Sequence, residues 1–313
     1  MLSRRNIRVK VMQTLYALDS LSGIVKPGEP INTLNKKIEQ SKHLFTYLLY
    51  FITETARYAE YDAGQKASKN LPTAEDLATN TKIAGNEVLW KIVEDSSFKA
   101  ICKELKAEFL IDKDLLKKTY RTLTDTPQYK EYIEIPAREK RAEKKILEFI
   151  FTDLMLPDED FINHIEEKFI NWDDDAEMMH SLVIAYLGKP GVQNIQEFLS
   201  KEKSDFAKNI LNTVLDKKEQ TLELIKPKLK GWDADRIASL DLILLQMGVC
   251  EFLYFETIPT KVTINEYIDL AKAYSTPQSG QFINGLLDNI HKTLESENKL
   301  EKISFKQNNK SNV

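Results

Sequence analysis

The fold of this chain is decided by residues 235–255, which read DRIASLDLILLQMGVCEFLYF. Apolar side chains face nearly every direction of the helix that this stretch would form, which is typical of a helix surrounded by other helices. Gly248 lowers the helix propensity by about 1 kcal/mol, so we expect it to admit a closely packed neighbour. Gln246 and Glu251 interrupt the apolar run, which is also too short to span a bilayer. The stretch predicts the central helix of a bundle.

Two further helices are predicted after this stretch. Pro259 ends the central helix, and the sequence 263–266, Thr-Ile-Asn-Glu, has the pattern of a capping box that starts the next one. Ser279 is predicted to cap a last helix. The apolar residues expected on the inner face of that helix are Phe282 or Ile283, Leu286, Leu287 and Ile290.

The N-terminal part also predicts helices. An apolar residue recurs along one face from residue 3 to residue 20, with Ser3 as the cap, at Ile7, Val11, Leu15 and Leu18. Longer helical patterns follow at 32–61, at 74–94 and, with interruptions, at 98–123. The chain of 313 residues has only 10 glycines, and folds that need many tight turns are therefore disfavoured. The sequence predicts an all-α protein.

Charge and cysteine content exclude some classes of protein. The net charge is −4, so the chain does not coat nucleic acid by bulk charge, although a local basic patch stays open. Cys102 and Cys250 lie far apart in apolar contexts, which favours free thiols in a reducing compartment. The basic residues 1–10 lack the apolar region of a signal peptide. We expect a cytoplasmic protein that does not enter a membrane.

The usual catalytic and metal-binding patterns are not found in the sequence. No histidine has another His four residues away or a nearby Cys, and no glycine-rich phosphate loop or nucleophile motif occurs. The run from Asp173 to Asp175 is typical of a solvated helix start. We therefore predict that the chain is not an enzyme, and that it has no cofactor and no metal site.

A weak internal repeat has a spacing of 60 residues. The sequence Trp-Asp-x-Asp begins at Trp172 and again at Trp232, and a predicted amphipathic helix precedes each copy. The other matched pairs are Ile150 with Ile210, Glu159 with Glu219, Ile165 with Ile225, Lys168 with Lys228 and Leu182 with Leu242. Duplication of a helical hairpin and chance agreement both explain this pattern.

The first predicted helix has an unusual charge pattern. Arg4, Arg5, Arg8 and Lys10 crowd its first turns, and no acidic residue precedes Asp19. Cations at a helix N-terminus oppose the helix dipole, so a functional reason such as contact with phosphate groups is one interpretation. A solvated, frayed terminus is the other.

Several motifs together resemble the NusB family of bacterial transcription antitermination factors. The motifs are Arg4-Arg5-x-x-Arg8, Gln13-x-Leu15-Tyr16, Asp235-Arg236-Ile237, Asp241, Glu251, Ile264-Asn265-Glu266-x-Ile268-x-Leu270-Ala271-Lys272 and Phe282-Ile283-Asn284-Gly285-Leu286-Leu287-Asp288. They occur in the order seen in the family. The resemblance covers residues 1–20 and about 195–295, and it implies a helical bundle of the NusB type.

The resemblance also implies a division of the chain. Residues 1–21 would form the first helix of the core with its basic start, and residues 196–296 the rest of an RNA-binding core. Residues 22–195 are much longer than the connection usual in the family, and would form a helical insertion that includes the first copy of the repeat. Residues 297–313 are rich in Lys and Asn and are predicted to be a disordered polar tail.

The function implied by the resemblance is transcription antitermination. The chain would bind single-stranded boxA-type RNA together with the ribosomal protein NusE, in a complex on RNA polymerase that supports ribosomal RNA synthesis. The RNA site would comprise Arg4, Arg5, Arg8, Lys10 and Phe282, with the amides around Gly280 and Gln281 free to take a phosphate. Tyr16 and Asp241 match positions associated with the protein partner.

Two features keep alternatives open. The family often has basic residues where Asn6 and Gln281 stand, and arginines at the positions of Leu242 and Gln246. Either RNA binding would be weakened, or other basic residues in the insertion would compensate. Phe282 could instead complete a core stripe with Leu286. A helical interaction adaptor that has lost its RNA site is therefore one alternative, and the RNA-binding part of a modifying enzyme is another. The modifying-enzyme alternative needs a cofactor-binding domain with a glycine-rich loop, and the sequence has no segment of that kind.

Overall fold

The computed structural model describes residues 1–20, 26–229 and 237–303, and these residues form α-helices and no β-strand. The helices are α1 (Arg4–Asp19), α2 (Glu29–Ala67), α3 (Ala74–Leu77), α4 (Glu87–Glu94), α5 (Ser96–Leu105), α6 (Ala107–Leu110), α7 (Lys113–Asp125), α8 (Pro127–Glu134), α9 (Lys140–Phe149), α10 (Glu159–Lys168), α11 (Trp172–Gly188), α12 (Lys201–Asp216), α13 (Lys218–Ile225), α14 (Ser239–Tyr254), α15 (Thr260–Tyr274) and α16 (Ser279–Ser296). The all-α prediction is confirmed. None of the helices described is long and apolar enough to cross a membrane.

The chain divides into two compact units. The central unit contains residues 37–199 with Met1, and the terminal unit contains residues 2–36 and the residues from 200 onward. The terminal unit is therefore built from both ends of the sequence. Helix α2 begins in the terminal unit and continues in the central unit.

Helix α14 is the centre of the terminal unit. Every residue from Ile243 to Phe252 is buried, because α1, α12, α13, α15 and α16 all contact this helix. Gly248 lies against α16 and α15, since a Cβ atom placed on it would be 2.9 Å from Leu287 Cδ2 and 3.4 Å from Tyr267 Cδ2. The expected central helix and its close-packed glycine are both confirmed.

Two helix starts differ from the sequence prediction. Helix α15 begins at Thr260 after Pro259, so Thr263 lies inside the helix and not at its cap. Its hydroxyl is buried and donates a hydrogen bond to Glu251 Oε2 at 3.1 Å. Ser279 is the first residue of α16, and its hydroxyl donates to Asp241 Oδ2 at 2.7 Å. In both places a buried carboxylate from α14 competes for the hydroxyl that the local pattern assigns to a cap.

The central unit has shorter helices than the periodicity predicts. The predicted helix at 74–94 is divided into α3, a 3₁₀ turn at Lys82–Gly85 and α4. The interrupted pattern predicted at 98–123 corresponds to α5, α6 and α7. Asn86, Asp95 and Asp112 each accept hydrogen bonds from backbone amides at the start of a new helix. These side chains end one helix and begin the next within a continuous apolar pattern.

The core of the central unit forms around α2. Phe45, Tyr47 and Phe51 are fully buried on this helix, and Phe51 packs edge-on against Phe161 of α10 with 4.9 Å between ring centroids. The first copy of the repeat belongs to this unit, with Trp172 at the start of α11. The second copy, from Trp232 to Asp235, lies outside the described residues.

Part of the segment predicted as a disordered tail makes defined contacts. The ammonium group of Lys302 donates hydrogen bonds to the backbone oxygens of Glu251 and Phe255, both at 2.7 Å. The amide of Ile303 donates to the Glu256 oxygen at 3.1 Å. A cation here satisfies carbonyl groups at the end of α14 that have no partner within the helix. Residues 304–313 lie outside the described residues.

Candidate nucleic-acid interface

The start of α1 presents two exposed arginines. Ser3 caps the helix by accepting the amide of Asn6, and the first turn contains no acidic residue. The side chains of Arg4 and Arg5 are each 43% exposed. Arg4 Nη2 lies 2.8 Å from Glu202 Oε1 of α12, and Arg5 Nη1 lies 3.0 Å from Asp269 Oδ2 of α15. These two guanidinium groups are accessible, although each already contacts a carboxylate.

Arg8 has a different environment from the one expected of a phosphate ligand. It is only 2% exposed, and it binds Glu251 through two hydrogen bonds, Nε to Oε1 at 2.6 Å and Nη2 to Oε2 at 3.0 Å. Tyr267 donates to the same carboxylate at 2.8 Å. The expectation that Arg8 belongs to the RNA site is corrected, because its guanidinium is buried and satisfies a fully buried glutamate.

Electrostatics keep the protons on the Arg8 guanidinium and on the Tyr267 hydroxyl. Burial alone would lower the pKa of Arg8, but the hydrogen bond to Glu251 and the attraction of its negative charge raise that pKa above its usual range. Burial, and then the charge of Glu251, raise the pKa of Tyr267 well above normal, so its hydroxyl remains a donor. The cluster joins α1, α14 and α15 by a bidentate ion pair inside the terminal unit.

Lys10 is also buried. Its side chain is 1% exposed, and its ammonium group lies 3.2 Å from the side-chain oxygen of Gln13. The sequence placed Arg8 and Lys10 in one basic patch with Arg4 and Arg5. The structure divides these four residues into an exposed pair at the helix end and a buried pair one to two turns further along.

The start of α16 offers fewer free amides than expected. Gly280 is buried, and the amides of Gln281 and Phe282 donate to the Gln278 oxygen at 3.2 Å. The side chain of Lys272 covers Gly280, because a Cβ atom on this glycine would lie 2.9 Å from Lys272 Cγ. The expected amide site at Gln281 is corrected accordingly, since a turn preceding the helix already uses that donor.

Phe282 is half-buried in the first turn of α16. The packed face of this helix contains three fully buried residues, Ile283, Leu287 and Leu294. Leu286 and Ile290 on the same face are almost fully buried. Of the two choices left open for the inner face, the structure therefore selects Ile283. Phe282 is placed at the edge of the packed face.

Helix α15 connects the two helix starts. Asp269 and Lys272 are three residues apart and so lie on one face of this helix. Asp269 contacts Arg5 of α1, and Lys272 covers Gly280 of α16. The exposed side chain of Lys272 is a further cation near the start of α16. We did not assign it a role from the sequence, although it ends the motif at 264–272.

The two residues expected to contact a protein partner differ in exposure. Tyr16 is 47% exposed on α1. Asp241 is buried, and it accepts hydrogen bonds from the hydroxyls of Ser275 and Ser279, both at 2.7 Å. Asp241 thus joins α14 to the connection between α15 and α16, and its carboxylate has no exposed face for a partner.

Comparison with known proteins defines the family. The model of the NusB family matches residues 159–292. A relative from Finegoldia magna, "Transcription antitermination protein NusB", is 41% identical over 109 residues, which are 33% of this chain and 80% of that protein. This chain belongs to the NusB family. A NusB protein from Salinibacter ruber is 41% identical over 98 residues, which are 31% of this chain and 61% of that protein. A third relative, a NusB protein from Listeria monocytogenes, is 37% identical over 98 residues, which are 31% of this chain and 77% of that protein.

The residues that the family model matches differ from the residues that the motifs cover. The family model begins at residue 159, inside the segment at 22–195 that the motifs suggest to be an insertion, and it does not include α1. Lys272 and Phe282 lie within the match, whereas Arg4 and Arg5 lie outside it. No solved structure matches the chain.

Proposed function

We propose that this NusB-family chain is a transcription antitermination factor that binds single-stranded boxA-type RNA. The observation that supports this proposal is the contact of Arg5 with Asp269, on a face of α15 that leads, through Lys272, to the start of α16. Arg4 precedes Arg5 on α1 and pairs with α12. Phosphate contacts supply affinity for a single strand, and an aromatic side chain such as Phe282 supplies a stacking platform.

The proposed site uses fewer charges than the sequence suggested. Arg4, Arg5 and Lys272 are exposed, whereas Arg8 and Lys10 are buried. Arg8 therefore acts as a positioning residue, which holds the start of α1 against α14 and α15 through Glu251. The proposal assigns phosphate contacts to the three exposed cations and base stacking to Phe282.

The salt dependence of RNA binding tests this assignment. Three phosphate contacts on a single strand predict a slope of log K against log salt of about −2. Exchange of Arg4 and Arg5 together for alanine is expected to reduce the slope to about −0.7. The measurement is a titration of the full chain with boxA-like RNA at several salt concentrations.

Lys118 provides a matched control for that titration. It is an exposed lysine of the central unit that pairs with Asp158 and Asp160, so Lys118→Ala removes one exposed cation outside the proposed site. The slope of log K against log salt for Lys118→Ala should equal the slope for the unchanged chain. A slope near zero for the unchanged chain would contradict the phosphate contacts of the three exposed cations and favour the interaction adaptor.

The carboxylates beside Arg4 and Arg5 predict a gain of function. Glu202→Gln combined with Asp269→Asn is expected to strengthen RNA binding about twofold to thirtyfold, because exposed ion pairs of this kind contribute about 0.2–1 kcal/mol each. Fluorescence anisotropy with labelled RNA measures the change. Asp19→Asn is the control, since Asp19 is an exposed carboxylate at the opposite end of α1 that pairs with Lys218. An equal gain in that control would show a general charge effect.

The protein partners follow from the same proposal. The chain would act with the ribosomal protein NusE in an antitermination complex on RNA polymerase. Tyr16 supports this part, because it exposes an aromatic ring on α1. Buried Asp241 would support the partner surface only through the packing of α14 against the α15–α16 connection. Repeating the RNA titration with purified NusE tests whether the two proteins bind the RNA together.

A further inference from the structure

Three side chains of the central unit form a cluster between α2 and α5. Glu39 and His43 are four residues apart on α2, and Glu104 is on α5. One ligand atom from each residue lies within 4.8 Å of the other two. His43 Nε2 is 3.4 Å from Glu39 Oε1 and 3.3 Å from Glu104 Oε1. The proposed RNA site uses none of these residues.

The distances fit a shared cation better than hydrogen bonds. The Nε2 atom of an imidazole carries at most one proton, so it can donate to only one of the two carboxylates. In a tetrahedral site with zinc–ligand distances of about 2.0–2.2 Å, neighbouring ligand atoms lie about 3.3–3.5 Å apart. Both separations from His43 Nε2 have this value. The side chain of Glu104 is 53% exposed, so it has room to approach Glu39.

We propose that Glu39, His43 and Glu104 bind a divalent transition-metal ion, with Zn²⁺ as the preferred ion. Imidazole nitrogen and carboxylate oxygen are both good zinc ligands, and two carboxylates balance the charge of the ion. Three protein ligands leave one tetrahedral position for water. The ion would connect α2 to α5 within the central unit.

Sequence reasoning missed this cluster for a definite reason. The sequence pattern that indicates a metal site is a histidine with a second His or a Cys at helical spacing, and His43 has no such neighbour. Its nearest candidate ligand along the chain is Glu39, one turn earlier, and Glu-x-x-x-His alone is a common helical pair. Only the packing of α5 against α2 adds the third ligand, Glu104.

Lys42 competes with the ion. Its ammonium group contacts Glu39 Oε1, the atom that would bind the metal, and its side chain is 11% exposed. Binding of Zn²⁺ must therefore displace this ammonium group from the carboxylate. Lys42→Met, which removes the charge and keeps the apolar stem, is expected to increase the zinc affinity.

Calorimetric titration of the EDTA-treated full chain with Zn²⁺ tests the proposal. We expect one site, and we expect His43→Gln and Glu104→Gln each to weaken its binding by about tenfold or more, because even partners of the ligands contribute about 10- to 100-fold. His180→Gln is the matched control, since His180 is an exposed imidazole on α11 outside the cluster. Zinc should raise the melting temperature of the unchanged chain and of the control.

Two outcomes would overturn the proposal. One is zinc binding by His43→Gln and Glu104→Gln that equals the binding of the unchanged chain. The other is a loss in His180→Gln as large as in His43→Gln, which would indicate binding to surface histidines in general. Melting in EDTA checks that each variant is folded. The half-exposed position of Glu104 keeps the test valid if His43→Gln does not fold.

Discussion

Arg8→Ala is expected to lower the free energy of unfolding by about 3–5 kcal/mol. The reason is that Glu251 is fully buried, and Arg8 is its bidentate cationic partner. Without Arg8, the carboxylate keeps the hydroxyls of Thr263 and Tyr267 as side-chain donors, which carry no positive charge. Urea unfolding of the full chain, followed by circular dichroism, measures the loss in the transition of the terminal unit.

Arg4→Ala is the control for this experiment. Arg4 also pairs with a glutamate, but both side chains are largely exposed, so its removal should cost no more than about 1 kcal/mol. Equal losses in the two variants would contradict the distinction between a buried structural pair and an exposed pair. The double variant of Arg8→Ala with Glu251→Leu should recover part of the stability, because it removes the unpaired buried charge.

Phe282→Ala is expected to weaken RNA binding by about 1–3 kcal/mol, which is about 5- to 150-fold in Kd. A base stacked on the ring would lose its platform. Since Phe282 lies at the edge of the packed face of α16, the melting temperature should fall less than in a core variant. Anisotropy titration with boxA-like RNA and thermal unfolding by circular dichroism provide the two measurements.

Ile283→Ala gives the opposite pattern and so serves as the reference. Ile283 is fully buried beside Phe282, and its truncation should destabilise the chain by about 2–5 kcal/mol. RNA binding should be kept at temperatures where this variant is folded. If Phe282→Ala lost stability like Ile283→Ala and kept its RNA affinity, the ring would belong to the core and the stacking proposal would fail.

The sequence predicts the fold class well, because the buried positions of a helix appear in the sequence as apolar residues at helical spacing. The apolar run in α14 and the stripe in α1 each recur in the structure as buried helical faces. The caps of α15 and α16 were predicted at the wrong residues, because hydroxyls of Thr263 and Ser279 bond to carboxylates from α14. Local patterns contain no information about such a distant competitor.

The candidate site shows the same limit more clearly. Arg4, Arg5 and Arg8 look equivalent as a charge cluster, yet only the first two remain exposed. A hint lay in the spacing, because Arg8 precedes Val11 by three residues and Leu15 by seven, and both belong to the apolar stripe. Glu251 likewise interrupts an apolar helix. A buried charge without an opposite charge beside it is strongly unfavourable, so a buried cation and a buried anion in separate helices are expected to pair. Only the three-dimensional structure shows which two residues do so.

The ion pair between Arg8 and Glu251 joins residues that are 243 positions apart in the sequence. During translation, α1 leaves the ribosome before the central unit, and its charged partner follows only after the whole central unit has been made. The central unit can fold before the residues from 200 onward, which complete the terminal unit, have been synthesised. We therefore expect the terminal unit to complete its folding last and slowly, since contacts between such distant positions form slowly.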